Sequence, residues 1–374
     1  MKILLVGNYE LGDAKSMPRF GEMLRRELEA RGHVVRLLRP KGLLGKIGGG
    51  PAGGAAGKWL SYVDQYLLFP LWLWAVSRRG WDEVHICDHS NAVYRPWVRK
   101  VSPSITCHDL LAIQAAEGRF PQQKISKTGR MLQGWIKRNL LQIKRVICVS
   151  GKTADDLRAM GAAAEIVVIA NPLNNDFSPA SANAVSEAKQ RVGLSPDEMY
   201  VLQVGGNLWY KNRPGAVRIF AAMQRWEEFA GFRMVMVGHR FTEELAGEVG
   251  RLGMESKVIE VKDPDDSTVR ALYTGAAMLL FPSLYEGFGW PIVEAQSCGC
   301  MVVTSNREPM QEVAGGAAIL VDPEQPEEAA AGIAAGWPRR DALRAAGLLN
   351  VQRFGRQEIM GGYEMFFKGA TDKA

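Results

Sequence analysis

The chain reads as two α/β domains in tandem, each built on a parallel sheet, and three observations predict this. Short apolar runs alternate with amphipathic stretches in both halves, which is the pattern of repeated strand–helix units. The pattern breaks once, at Asn171-Pro-Leu-Asn-Asn-Asp-Phe-Ser-Pro, and then restarts. A length of 374 residues, with 47% apolar and 23% charged residues, is enough for two globular cores.

In the first half the expected strands are Ile3 to Val6, Val34 to Leu38, Val84 to Cys87, Ile105 to Cys107, Val146 to Val149 and Ile166 to Ile169. A helix from about Pro18 to Arg31, closed by Gly32, joins the first two. Residues 1–184 make the first domain, with Ser178 to Ala184 read as its linker. The second domain, 185–350, restarts at Tyr200-Val-Leu-Gln-Val-Gly205 and continues through Met234 to Val237, Val258 to Val261, Met278 to Phe281, Met301 to Thr304 and Ala318 to Val321. From about Arg339 to Lys368 the chain is helical in character, and 351–374 form a closing element. Gly48 to Gly57 is glycine-rich and is expected to be a mobile loop, either a lid or a tolerated insertion.

Met1-Lys-Ile-Leu-Leu-Val-Gly reads as a buried strand and not as a secretory leader. The five cysteines, Cys87, Cys107, Cys148, Cys298 and Cys300, lie mostly in or beside apolar runs, as reduced core thiols of a cytoplasmic chain do. Cys298-x-Cys300 lacks the spacing of a zinc site, and no metal is expected. The net charge of +6 is uneven: Arg119 to Lys152 holds nine Lys or Arg and no acid. Such a block meets anionic lipid, nucleic acid or only water. Upstream, Tyr66 to Val76 is apolar but shorter than the roughly 20 residues a bilayer requires, so it reads as a core helix near Pro70. Together the two raise peripheral attachment to an anionic membrane surface.

Phe281-Pro-Ser-Leu-Tyr-Glu286-Gly-Phe-Gly-Trp-Pro-Ile-Val-Glu294-Ala is the most informative stretch. Its layout is strand, turn, helix, with Glu286 beyond the strand, Pro291 and Glu294 in the first helical turn, and backbone N–H groups between the two glutamates facing an anion. An ordinary turn with two solvated glutamates is the plain alternative. Gly205-Gly-Asn207-Leu-Trp-Tyr-Lys211-Asn212-Arg213-Pro214 makes a second helix N-terminus after a strand, with Asn212 as N-cap and Lys211 a point charge for phosphate. His108-Asp109 ends a strand of the first domain; the histidine is placed to hydrogen-bond a substrate, and Asp109 either orients it or caps the next helix. The first loop, Gly7 to Arg19, is not Gly-x-Gly-x-x-Gly, which disfavours a dinucleotide cofactor.

The Glu-x7-Glu block and its continuation through Asn306 and Glu312 resemble the signature of family 4 retaining glycosyltransferases of the GT-B fold, nearly over the full length. The resemblance implies two Rossmann-like domains with a cleft between them and a C-terminal helix crossing back to the first. It further implies transfer of a sugar from a nucleoside diphosphate sugar (UDP, GDP or ADP) to a glycan, often lipid-linked, acceptor, without metal or other cofactor. His108, Glu286 and Lys211 would be catalytic. Gly12, Gly205, Asn207, Lys211, Arg213, Val261, Lys262, Glu286, Gly287 through Trp290 and Glu294 would bind the donor. Glu294 takes the ribose and Glu286 the sugar, Val261 and Lys262 flank the base, and Lys15 or Arg19 are further phosphate contacts. The family often has an arginine after the Val-Gly of the second domain; here Gly206 and Asn207 stand there, with Arg213 as the substitute, and Glu312 serves structure. A GT-B epimerase or phosphorylase, or a non-catalytic nucleotide-sugar-binding subunit, are the rival readings. Nucleic acid is not an expected partner.

Overall fold

The computed structural model describes residues 1–12, 16–50, 54–173 and 177–371. Twelve strands form two six-stranded parallel sheets, one in each of two compact units: 1–174 with 356–374, and 175–355. In the first unit β1 (Lys2–Val6), β2 (Val34–Leu38), β3 (Glu83–Ile86), β4 (Ser104–Cys107), β5 (Arg145–Cys148) and β6 (Glu165–Val168) lie in the order β2-β1-β3-β4-β5-β6. In the second, β7 (Tyr200–Val204), β8 (Arg233–Gly238), β9 (Val258–Lys262), β10 (Met278–Phe281), β11 (Val302–Ser305) and β12 (Ala318–Val321) lie in the order β12-β11-β10-β7-β8-β9. Every expected strand is present, within one residue at either end. The chain winds outward from β1 and returns as β3, and winds outward from β7 and returns as β10. Those two junctions are the topological switch points, where adjacent strand-to-helix loops diverge.

Alternation along β1 divides the first core. Leu4 and Val6 point to a cluster with Val84, Ile86 and Ile105, and Ile3 and Leu5 point to one with Phe20, Leu24, Leu28, Met360, Tyr363 and Phe367. The second face is covered by helix Ser16–Ala30 and by the last helix, Arg356–Thr371. A buried polar chain fastens that last helix to the sheet. Arg145 Nη1 donates to Glu83 (3.0 Å), Ser104 Oγ donates to Glu83 (2.6 Å), and His85 bridges Ser104 and Thr106 at 2.8 Å on either side. Tyr363 of the last helix completes the chain at Thr106 (3.1 Å). Arg145 also stacks on Phe366, 4.2 Å from its centroid.

Three expectations are corrected. Ser178 to Ala184 is not a linker: Ser181 Oγ accepts from Ala184 N (3.3 Å) to start helix Ala182–Arg191. The preceding carbonyls of Ser178 and Pro179 accept from Arg270 (2.7 and 3.0 Å), so the segment is fixed to the second unit. Within Gly48 to Gly57, residues 51–53 lie outside the described residues, but helix Gly54–Val63 follows directly and Gly57 is buried. A Cβ on Gly57 would sit 2.3 Å from the carbonyl oxygens of Gly48 and Gly50, so glycine here permits a close approach. Third, Tyr66 to Val76 buries Phe69, Leu73 and Val76 but exposes Leu67, Leu71 and Trp74, and so is only half a core helix.

All five cysteines are buried and free. The described C-terminal stretch is helical at Arg340–Asn350 and Arg356–Thr371.

Burial pushes the His85 pKa down to about 3, so the folded chain holds this imidazole neutral while an unfolded one takes a proton near pH 6.5. Between these values the unfolded chain binds the extra proton, and stability falls as pH falls, by up to about 1.4 kcal/mol per pH unit. His85→Gln, which keeps amide hydrogen bonding but cannot titrate, is expected to flatten the slope of unfolding free energy between about pH 4.5 and 6 by that amount. Equal slopes in urea titrations would remove His85 as the source.

Candidate active site

The second unit brings Lys211 and Glu286 together across its switch point. Lys211 closes a short 3-10 turn, Trp209–Lys211, after β7, and Glu286 stands on the loop after β10. The Lys211 ammonium donates to both carboxylate oxygens, at 2.7 and 2.9 Å, with both side chains largely buried. The rings of Phe281 and Tyr210 lie 5.3 and 5.6 Å from the same nitrogen. In low dielectric this pair is held tightly, but its charges have lost water, so an incoming anion has a cation to compete for.

Around the pair, the local sequence sets the backbone. Asn212 is left-handed (φ 51°) and precedes helix Arg213–Met223, which has Pro214 in its first positions. The Asn212 side chain does not cap that helix as expected. Its amide donates instead to Pro282 O (3.0 Å) and Pro323 O (3.1 Å), which ties the β7 loop to the β10 loop. Gly205 and Gly238 meet where β7 and β8 end: a Cβ on Gly238 would lie 2.1 Å from Gly205 O.

Gly289 is left-handed (φ 102°) and precedes helix Trp290–Ser297. Glu294 is therefore the fifth residue of this helix and stands in its second turn rather than its first. Sequence reasoning passed over Tyr273, which is buried and donates to Glu294 (2.9 Å), fixing one carboxylate oxygen. The hydroxyl's pKa is raised well above normal by burial and then by Glu294, so it stays a donor.

Other expected donor contacts are differently occupied. Arg213 is buried, stacks on Phe241 (5.1 Å), and donates to Asn207 and to His239 O (2.9 Å). Asn207 donates in turn to Arg240 O (2.7 Å). The two thus brace the β7 loop on the β8 loop, although Nε and Nη2 of Arg213 remain buried without a partner among the described residues. Phe288 is buried against Phe354 (centroids 5.5 Å), so only its backbone is available at the turn; Gly287 and Trp290 are half-buried beside it. Val261 and Lys262 end β9, the first half-buried and the second exposed.

In the first unit His108 follows β4. Its Nε2 lies 3.0 Å from the carbonyl of Cys87, which only accepts, so Nε2 carries the proton and Nδ1 presents a lone pair. Nδ1 is buried with no partner among the described residues, and Phe20 packs edge-on at 4.7 Å. Burial lowers the pKa and keeps the ring neutral. It is thus built to accept a hydroxyl proton rather than to carry positive charge. Asp109 accepts from Leu111 N (3.0 Å), serving the start of helix Leu111–Ala116 and not the imidazole.

At this unit's switch point Asn8, after β1, donates to Asp88, after β3 (2.6 Å). Beside them opens a cavity of about 360 Å³ lined by Asn8, Tyr9, Gly12, Ser90, Asn91 and Tyr94 and, from the helical side, Lys58, Tyr62, Gln65, Tyr66 and Gln133. Asn8 Oδ1 and Asn91 Nδ2 are buried there without partners among the described residues. Gly12 thus belongs to a cavity that the sequence did not disclose; Lys15 lies outside the described residues.

The basic block is less free than its sequence indicates. Arg145 is taken by Glu83, Lys137 by Glu117 and Lys152 by Asp156, which leaves Arg119, Lys124, Lys127, Arg130, Arg138 and Lys144 exposed. Among the described residues, no group of three His, Cys, Asp or Glu is placed to hold a metal ion.

Two doubly wound parallel units, with facing charges at one switch point and a polar cavity at the other, are the architecture of GT-B glycosyltransferases. The model for glycosyl transferases group 1 matches residues 185–336 and that for glycosyltransferase family 4 matches residues 19–177. The chain belongs to the group 1, family 4 glycosyltransferases. It is 26% identical over 258 residues to O-antigen chain mannosyltransferase B of Escherichia coli (67% of this chain, 65% of that one). It is 24% identical over 240 residues to the GDP-mannose:cellobiosyl-diphosphopolyprenol alpha-mannosyltransferase of Komagataeibacter xylinus (62% and 58%). The chain thus spans less than two thirds of the length of these curated relatives.

Among solved structures, sucrose-phosphate synthase from Thermosynechococcus elongatus superposes with a TM-score of 0.76 at 19% identity, over 100% of both chains. Anabaena HepE in complex with UDP-glucose does so at 0.71 and 19%, again over 100% of both. Both likenesses concern the fold.

Lys211→Ala and Glu286→Ala made together should destabilise the chain less than the sum of the two single changes, since each single change strands a buried charge. A double-mutant cycle in urea is expected to return a coupling of about 1–3 kcal/mol. Additive losses would show that the pair is solvated in solution.

Proposed function

We propose that this protein is a retaining, metal-independent glycosyltransferase that moves a hexose from a nucleoside diphosphate sugar to a glycan acceptor carried on a lipid. The observation that carries this reading is the Lys211–Glu286 pair at the switch point of the second unit, flanked by the Tyr273-oriented Glu294. A relative uses GDP-mannose and a diphosphopolyprenol acceptor by its name, and a structural neighbour is in complex with UDP-glucose. These make GDP-mannose and UDP-glucose the first donors to try.

The diphosphate draws Lys211 away from Glu286, which frees the carboxylate to accept from sugar hydroxyls. Lys211, the Gly287–Gly289 backbone and the ends of the two helices then stabilise negative charge as the diphosphate leaves, a task a divalent metal performs elsewhere. Glu294 accepts from the ribose hydroxyls. The acceptor hydroxyl attacks from the face that the diphosphate vacates, and the leaving phosphate takes its proton. In the first unit, the neutral His108 accepts from a sugar hydroxyl through Nδ1. The tyrosine- and amide-lined cavity holds an acceptor glycan: aromatic faces suit C–H surfaces of sugars, and unpartnered amides suit hydroxyls.

Release of nucleoside diphosphate from a panel of UDP-, GDP- and ADP-sugars, with glycosylated acceptor analysed for anomeric configuration, tests the reading. Epimerised donor or free sugar phosphate as the sole product would replace it. Glu294→Ala is expected to weaken donor binding by about 1.5–3 kcal/mol, the value of hydrogen bonds to a charged acceptor. Unchanged affinity in calorimetry would withdraw the ribose role. His108→Ala should lower kcat at least about tenfold, with donor affinity nearly kept, because its contact strengthens in the transition state. Wild-type turnover in that variant would remove the imidazole from the site.

A further inference from the structure

One carboxylate behind the first unit's cavity sets the polarity of the cavity wall. Asp88 follows β3 and is buried. Its Oδ1 accepts from Ser90 N (3.0 Å) and so caps the 3-10 helix His89–Trp97, while its Oδ2 accepts from Asn8 Nδ2 (2.6 Å) in the loop after β1. His89 Nδ1 lies 3.2 Å from Oδ1. Burial works against the charge, but the His89 and His108 rings and the donors of Ser90 and Asn8 together hold the Asp88 pKa below the usual carboxylate value. The group is therefore ionised, and both oxygens can only accept.

The Asn8 amide is thereby given one orientation. A carboxylate cannot donate, so the Asn8 group that meets it is the NH2, and Oδ1 is turned away from it. That oxygen is buried with no donor among the described residues, and Asn8 lines the cavity. The Tyr9 hydroxyl on the same wall does not supply the donor. It is committed to Asp64 (3.1 Å), in the π turn Asp64–Leu68 between helices Gly54–Val63 and Phe69–Ser77. Asn91, in the helix that Asp88 caps, is 8% exposed and also lines the cavity, and its Nδ2 has no acceptor among the described residues. The wall thus carries one unmet acceptor and one unmet donor, and each costs free energy until a ligand pairs it.

We propose that Asp88 is a positioning residue for the acceptor: by fixing Asn8 Oδ1 toward the cavity it makes this wall select a sugar through a hydroxyl that must donate its hydrogen bond. Asn91 Nδ2 donates to a second hydroxyl of the same acceptor. The inference rests on the reading of this cavity as the acceptor glycan's site. Its mechanism is specific enough to be inverted. In Asp88→Asn the oxygen of the new side chain stays on Ser90 N, where the cap needs an acceptor, and its NH2 faces Asn8. Asn8 must then turn its own oxygen toward position 88 and its NH2 into the cavity. One substitution of nearly unchanged shape therefore converts the wall's acceptor into a donor, and a hydroxyl is no longer required of the ligand at that point.

Ligand-observed NMR on the full chain reads this polarity, with the methyl glycosides of mannose, glucose and galactose and their monodeoxyfluoro derivatives as probes. Fluorine replaces a hydroxyl at similar size but cannot donate. For a glycoside that binds the wild type, one fluoro derivative is expected to bind at least about tenfold more weakly, because a buried oxygen is left without its donor. Asp88→Asn should remove that difference. A wall merely loosened would weaken parent and derivative alike, so the loss of discrimination separates positioning from a structural role. Asn8→Leu should also abolish the difference with Asp88 in place, and it carries the test if Asp88→Asn shows no cooperative urea transition. Discrimination that survives in either folded variant overturns the inference, as does a wild type that binds a glycoside and all its fluoro derivatives equally; both leave the cavity as a glycan site. If the wild type binds none of the glycosides, the glycan reading of the cavity falls and the role of Asp88 falls with it.

Discussion

Parallel pairing is the constraint on which the molecule depends. A strand can pair parallel to its neighbour only after a crossover, so every strand-to-helix loop leaves from the same edge of the sheet. Where the winding reverses, two such loops part and leave a gap into which side chains from distant sequence converge. Lys211 and Glu286 are 75 positions apart and meet because β7 and β10 are neighbours. Asn8 and Asp88, 80 apart, meet because β1 and β3 are. Both meetings follow from strand order before any ligand is considered.

Burial then assigns different work to similar groups. His85 and His108 are both buried and neutral, yet the first has both ring nitrogens occupied and the second only one. A histidine with both nitrogens bonded cements the sheet to the last helix; one with a buried, unpartnered lone pair retains capacity for a substrate hydroxyl. The same distinction separates the Arg145–Glu83 pair, which is extended by Ser104 and closed off by Phe366, from the Lys211–Glu286 pair, which stands at a switch point with aromatic rings on the lysine. Loss of water makes each pair costly, and only the second sits where a ligand's charge can offset that cost.

The first unit's surface shows charge and apolar area combined with similar economy. Asp64 is drawn inward to satisfy the backbone N–H groups of Leu44 and Gly45, and the outer face is left cationic. The π turn that contains Asp64 lies between two α-helical runs, so one helix carries Tyr62, Gln65 and Tyr66 to the cavity and Leu67 and Leu71 to solvent.

Periodicity and punctuation in the sequence by themselves determined the two sheets, because alternation of short apolar runs with amphipathic segments is a local property that parallel packing requires. The Gly287-Phe-Gly289 turn, Pro291 and Pro214 were legible for the same reason: the backbone angles they permit depend on the residue alone. The start of helix Ala182–Arg191 was missed because Ser and Asn serve linkers and caps equally, and what settled it was Arg270 holding the Ser178 and Pro179 carbonyls from 90-odd positions away. Only the tertiary structure decided which charges are free. Arg145 and Lys137 look like free cations of a basic block in the sequence and Arg213 like a phosphate contact, and each is spent on a partner brought by the fold. Tyr273 reads as one more apolar helix residue until packing sets its hydroxyl on Glu294. Partner choice depends on strand order and burial, and neither is a property of neighbouring residues along the chain.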